Sequence, residues 1–282
     1  MKNRLRRFVK LWIDLFAKHQ LLDHASAIAF QVLKSLVPLT LLGVALLGAL
    51  GEEHVWSRTI APAMKPHLEG ATFHSIDFAV QKIFASEAPG LVAFAAVLAA
   101  WYISGAVRAV MGALNDVYEV DERRSWRRRY PISFGLAICI ALGVIGALLV
   151  VATGPDLARH GVLGVLVSIG RWLVGIGLLA LALGLLVRFA PAERRPKKWA
   201  SAGSLLVIAA WIGATLIFEL FVTHVANFKT ATGQLAVFLV LIGYVYTSSI
   251  IFLVGVELDE LLREDATAGQ RGVLELLFGV GR

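Results

Sequence analysis

The chain has 282 residues, 58% of them hydrophobic and 17% charged, with a formal net charge of +7 and a mean hydropathy of +0.74. Ordinary globular domains run nearer roughly 45–50% apolar and about 25% charged, so an excess gathered into long apolar runs excludes an ordinary soluble domain and implies membrane insertion. A helical bundle uses nearly the whole length and leaves no room for a soluble catalytic domain, while the basic excess reads first as anchorage to anionic headgroups and orientation by charge.

Residues 1–22 interleave Lys2, Arg4, Arg6, Arg7, Lys10 and Lys18 with Phe8, Val9, Leu11, Trp12, Leu15 and Phe16. That pattern predicts a basic amphipathic helix on the cytoplasmic membrane surface. It is unlike a cleaved signal peptide, whose apolar run comes sooner. Asp23 is expected to cap the next helix. Ala27–Leu50 holds a single charge, Lys34. At about 1.5 Å rise per residue it covers about 36 Å, enough for a hydrocarbon core of roughly 30 Å. Pro38 inside it is expected to kink the helix or free a carbonyl that a neighbour must satisfy.

Residues 51–88 are mixed polar, with apolar positions 73, 76, 80, 83 and 84 at a helical period, which predicts a short interfacial helix on the outer side. The second span is expected at Leu91–Val110 and a polar loop at 111–130. Pro131 then suits the first turn of the third span, Pro131–Val151. A turn at Thr153–Gly161 leads to the fourth span, Val162–Val187, which contains Arg171. The basic loop Arg188–Lys198 precedes the fifth span, Trp199–Val222, with Glu219 near its end. A polar turn leads to the sixth, Leu235–Val256. The tail begins at Glu257, and its last apolar group, Val273–Val280, is too short to span.

The expected fold is an all-α integral membrane protein: a bundle of six transmembrane helices, the N-terminal amphipathic helix and the outer interfacial helix. The expected organisation is a cytoplasmic segment at 1–22, a transmembrane domain at 23–262 and a cytoplasmic tail at 263–282. Most of the 27 Lys and Arg residues fall at one end of this arrangement. Arg58, Lys65, Lys82, Arg159 and Lys229 fall at the other, which places both termini in the cytoplasm.

These residues resemble the YihY/BrkB-type membrane proteins, a family once misnamed ribonuclease BN. The resemblance covers about residues 10–265. It rests most on Gly105–Arg129, where Arg108, Leu114, Asn115 and Tyr118 carry the family's signature. Pro191, Pro196, Trp199 and Gly203 match in Arg188–Leu206. Gly233, Tyr246, Gly255 and Glu257 match in Thr232–Leu258, and Asp23, Ala29, Phe30 and Pro38 in the first segment. Thr232, Gly243 and Lys34 depart from the family pattern. The resemblance implies a six-helix inner-membrane bundle with no secure biochemical activity, for which lipid or solute transport has been suggested.

Candidate cavity or substrate contacts are Lys34, Pro38, Arg108, Asn115, Arg171, Glu219 and Glu257. Arg171 lies roughly 14 Å deep by helical rise, where an arginine must be paired or watered. It reads either as an anion contact or as a structural partner of Glu219. Lys34 reads as a substrate contact, a snorkelling side chain or a partner of Glu257. Asn115 suits a helix cap or a bond to a backbone carbonyl. Arg123, Arg124, Arg127, Arg128 and Arg129 surround Trp126. Beside a membrane such a cluster reads as headgroup contact, and nucleic acid is not expected. The lone Cys139 reads as a small buried hydrophobe. The seven histidines show no metal-ligand spacing, and no phosphate loop or nucleophile motif is present. No cofactor, no metal and no enzymatic activity are expected. Expected partners are membrane lipids, anionic headgroups on the cytoplasmic side and, as an option, a second copy of the chain.

The leading functional reading is an inner-membrane transporter or lipid-handling protein of unknown substrate, with an anionic or headgroup-bearing one as the option the intramembrane charges suggest. The rivals are a structural or envelope-assembly protein and, last, an intramembrane enzyme.

Overall fold

Every regular element is helical among the residues described by the computed structural model, which are 2–66, 68–86, 89–153, 162–193, 202–224 and 231–267. Helix α1 covers Lys2–Lys18 and α2 covers Leu21–Ala49. Between them Gln20 takes a left-handed conformation, φ 47°, which turns the chain sharply. The residue before α2 is thus Gln20, with no side-chain cap. Asp23 does not cap this helix as expected; it sits inside the first turn, where its charge still complements the helix dipole. Helix α2 continues through Pro38, which is buried. The missing proline N–H removes the bond that would close on the Lys34 carbonyl.

A small cap follows α2. It comprises α3 (Glu53–Val55), a π-helical turn (Trp56–Ile60), α4 (Ala61–Met64) and α5 (Gly70–Phe84). Trp56, Ala61, Phe73 and Val80 form its core, with Val44 and Phe84 joining it to α2 and α5. The buried Trp56 indole donates to Asp77 Oδ1 at 2.8 Å, as a buried indole N–H requires. The expected interfacial helix is α5.

Helix α6 covers Pro89–Val117, seven residues beyond its expected end at 110. Met111, Ala113, Leu114 and Val117 continue its apolar period and are buried, so the polar loop expected from 111 begins only after 117. Helix α7, Trp126–Thr153, starts before Pro131 and makes the basic run helical. Pro131 lies in its second turn, not its first. Helix α8 covers Val162–Phe189, α9 Ala202–His224 and α10 Ala231–Thr267. Glu257, Asp259, Glu260 and Arg263, expected in a tail, therefore lie on α10. The expected segment Val273–Val280 falls outside the described residues.

Five helices are long and apolar enough to cross a membrane among the described residues: Leu21–Ala49, Gly90–Val117, Trp126–Ala147, Ile169–Phe189 and Phe238–Glu264. The expected fifth span corresponds to α9, whose described apolar stretch, Leu206–Phe221, is shorter than the others. Five of the six expected spans are thus present at spanning length among the described residues.

The helices pack in the order α8, α7, α6, α2, α10, α9, with α6 also meeting α10. Helix α6 is the axis. Ala95, Ala99, Ser104 and Ala113 are fully buried on it, and such small residues let membrane helices approach closely. The tightest crossing joins α9 and α10. A Cβ on Gly203 would collide with the Gly255 carbonyl, and one on Gly255 with Val207. The Gly203 N–H donates to Asp259 Oδ1 at 2.8 Å there. Gly143 similarly faces Ala182 at the α7–α8 contact. Cys139 is exposed on α7 rather than buried.

Candidate functional site

The polar chemistry of the bundle gathers at the end that carries α1 and the α6–α7 loop. Asn115, 3% exposed, joins three segments there. Its Oδ1 accepts from the Ala192 N–H at 2.8 Å, and its Nδ2 donates to Glu122 Oε2 at 3.0 Å. It thus holds a backbone N–H rather than the carbonyl expected. Glu122 also accepts from Arg124 Nε at 2.8 Å and Nη2 at 2.7 Å, and Arg124 donates to the Ala190 carbonyl at 2.8 Å. The Arg124 bonds, helped by Asn115, hold the Glu122 carboxyl down at about 2. Arg124 is therefore part of a clamp between the α6–α7 and α8–α9 connections, not a free headgroup contact.

A second network ties α1 to α10. His19 lies at the sharp turn after α1, with its Nδ1 2.9 Å from Glu257 Oε2 and its Nε2 3.6 Å from Glu119 Oε1. Glu257 is 2% exposed. Lys18 donates to the same Glu119 oxygen. That bond lowers the Glu119 carboxyl and raises the Lys18 ammonium from their ordinary values. Glu257 thus meets His19, not Lys34. Nearby, His24 Nε2 approaches Asp116 Oδ2 at 2.6 Å.

The third group follows α6 from its contact with α2 to its contact with α7. Lys34 is exposed on α2, with its Nζ 5.1 Å from the Phe30 ring centre and 5.3 Å from that of Tyr102. Arg108 lies six residues beyond Tyr102 on α6, roughly 9 Å along the helix. Its Nη1 donates to Ser104 Oγ at 2.8 Å and to Ser133 Oγ at 3.4 Å. Its guanidinium lies 4.6 Å from the Tyr130 ring centre. Arg129 Nη2 reaches the Arg108 carbonyl at 3.4 Å. The Gln31 amide and Arg108 Nη2 both lie over Gly105. The Ser104–Arg108 pair was readable as an i, i+4 spacing. Ser133, Tyr130, Tyr102 and Gln31 approach from other helices or turns and left no such signal.

The remaining candidates are dispersed. Arg123, Trp126, Arg127 and Arg128 are exposed, and Arg127 lies 5.5 Å from the Trp126 ring centre. Arg123 and Arg128 border a polar cleft of about 870 Å³ shared with Tyr118, Glu193 and Arg263. Arg171 is half-buried on α8, and Glu219 is exposed on α9. Those helices pack mainly on α7 and α10 respectively. Among the described residues no cluster of three or more His, Cys, Asp or Glu could hold a metal. His67 and His160 lie outside the described residues.

The family model "Virulence factor BrkB" matches residues 13–274. The chain is 26% identical over 183 residues to the Bacillus subtilis protein named "Putative ribonuclease-like protein YfkH", covering 62% of this chain and 66% of that protein. It is 24% identical over 275 residues to a UPF0761 membrane protein of Alkalilimnicola ehrlichii, covering 95% of this chain and 60% of the relative. The matches thus span less than two thirds of either relative's length. No solved structure matches the chain. With its long apolar helices and a family match over most of its length, the chain belongs to the YihY/BrkB family of multi-pass bacterial inner-membrane proteins.

Proposed function

We propose that the chain is a transporter or lipid-handling protein of the inner membrane, with six spans, both termini in the cytoplasm and a substrate bearing an anionic headgroup. Lys34 is the observation that carries this reading. It is a cation on the exposed face of a span, and its Nζ is held over two aromatic rings. No carboxylate lies within ion-pair distance of it among the described residues. A lysine at the centre of a membrane helix costs about 2.5–3.5 kcal/mol on insertion scales, and aromatic faces return about 0.5–2 kcal/mol of that. The remainder favours water or an anion beside it. A cation on a lipid-facing seam suits a headgroup that enters sideways between α2 and α6. The basic end supports the cytoplasmic placement of the termini, and α9 supplies the sixth span. Arg171 and Glu219 remain candidates for a further part of such a path. The exposed Arg123, Trp126, Arg127 and Arg128 suit headgroup contact beside the seam.

The test is exchange of a fluorescent, head-labelled phosphatidylglycerol between leaflets of liposomes holding the purified chain, read with an impermeant quencher. The parent is expected to speed exchange over protein-free liposomes, and Lys34→Gln to slow it at least fivefold with unchanged assembly. Exchange at the protein-free rate would reject lipid handling, and parental exchange by Lys34→Gln would remove the seam as its path.

A further inference from the structure

We propose that Arg108 and Arg129 form a binding site for a phosphate group, carried by a lipid headgroup or by a free anion, where α6 meets the first turns of α7. The site deepens the reading above by naming the ligand's chemistry and position.

Charge is the first argument. Arg124 is paired with Glu122, Arg263 with Glu260, and Arg123 lies 3.9 Å from Asp121. Arg108 and Arg129 have no carboxylate within ion-pair distance among the described residues. Arg127 and Arg128 are exposed and can rely on water; Arg108 and Arg129 are half-buried. Arg129 Nη2 lies 3.4 Å from the Arg108 backbone carbonyl, so two guanidiniums without a counter-ion, of summed charge +2, belong to the same α6–α7 contact. Partial burial makes that arrangement costly unless an anion completes it.

The donors are the second argument. Arg129 Nε is enclosed and has no hydrogen-bond acceptor among the described residues. Its Nη2 makes only the long contact to the Arg108 carbonyl. On Arg108, the bonds run from Nη1 alone. The hydroxyls that accept them are uncharged and leave its charge in place; each in turn donates to a carbonyl, Ser104 to Trp101 at 2.8 Å and Ser133 to Tyr130 at 2.9 Å. These bonds and the Tyr130 ring fix the guanidinium plane and leave donor edges unused. A guanidinium edge matches two oxygens of one phosphate in a bidentate bond, which an ammonium cannot reproduce.

The level in the bilayer is the third argument. Arg129 lies three residues into α7, beside exposed Trp126 and Tyr130. Interfacial aromatics of this kind mark headgroup depth. A phosphate held there would lie farther along α6 than the Lys34 contact with Tyr102.

The test is equilibrium binding by isothermal titration of the purified full chain in neutral detergent. The probes are short-chain phosphatidylglycerol and, separately, inorganic phosphate. Binding is read without flux, so a protein that does not move lipid can still hold the site. The parent is expected to bind, and Arg108→Gln/Arg129→Gln to weaken binding at least tenfold with normal size-exclusion behaviour. Arg58→Gln/Lys82→Gln, which removes equal charge from exposed positions of the cap at the other end, is expected to weaken it no more than threefold. Arg108→Lys/Arg129→Lys keeps both charges without the planar forks, serves where the glutamines impair folding, and is expected to lose at least threefold. Binding of phosphatidylglycerol alone assigns the phosphate to a lipid headgroup, and binding of inorganic phosphate as well admits a free anion. Failure of the parent to bind either probe, equal weakening in the 58/82 pair, or full affinity in both 108/129 variants would overturn the site.

Discussion

Glu122 concentrates the clamp at the basic end, since Asn115 and Arg124 both close on it. Its carboxyl lies at about 2 against an ordinary 4.5. The carboxylate's contribution to stability is therefore complete above about pH 4.5 and is lost as pH falls through about 2. Allowing for solvent screening at this partly exposed site, that contribution is ~1–2 kcal/mol. Glu122→Gln should lower the thermal midpoint in detergent at pH 7, with the gap from the parent narrowing between pH 4.5 and 2. A gap that does not change over that interval would show that the charge is not what Glu122 supplies. The sequence marked Asn115 as important but not its partners, because Ala192 is 77 residues away and a backbone N–H has no residue-type signature. The Lys34–Glu257 alternative failed for a similar reason. Charge and apparent depth suggested it, whereas the left-handed turn at Gln20 brings His19 to Glu257.

At the scale of the element, the apolar runs were legible and their ends were not. Residues 111–117 read as loop because Asn115 and Asp116 interrupt the apolar run, and 126–130 because they are basic. The first stretch is helical because Met111, Ala113, Leu114 and Val117 stay buried while Asn115 and Asp116 find partners on neighbouring segments; in the second, Arg129 reaches the Arg108 carbonyl. The α9–α10 crossing shows a constraint of another kind, a backbone approach that no side chain announces. Gly203→Ala or Gly255→Ala should push these helices apart and destabilise the protein by about 1–3 kcal/mol, the usual cost of overpacking. The reading is the thermal midpoint of monodisperse protein. Gly213→Ala on α9 and Gly243→Ala on α10 have nothing within 4 Å of the added carbon and should behave as the parent does. Equal loss in all four would trace the effect to glycine itself rather than to the crossing.

For the whole molecule, hydropathy sufficed for the membrane class, and loop residues together with apolar ones sufficed for the family. Which helix packs on which was not legible, because transmembrane faces are nearly uniform in polarity and small-residue contacts decide their pairing. The proposed orientation can be read directly with single cysteines in a Cys139→Ser background, since Cys139 is itself exposed. In intact cells, Ser125→Cys should react only with membrane-permeant thiol reagents, and Ala71→Cys should also react with impermeant ones. Both positions are exposed. Impermeant labelling at Ser125→Cys would reverse the topology.

The contact between α2 and α10 sets a timetable for biogenesis. Helix α2 begins at Leu21 and α10 at Ala231, and a ribosome adding about 5–20 residues per second separates them by roughly 10–40 s. Helix α6 follows α2 closely in the chain, so the pair that makes the central contact emerges as one early hairpin. The His19 imidazole and the face of α2 destined for α10 are synthesised long before Glu257 exists to meet them. Helices α2 and α6 must therefore wait in the membrane with an unfinished seam, and the much later α10 is the helix that closes it.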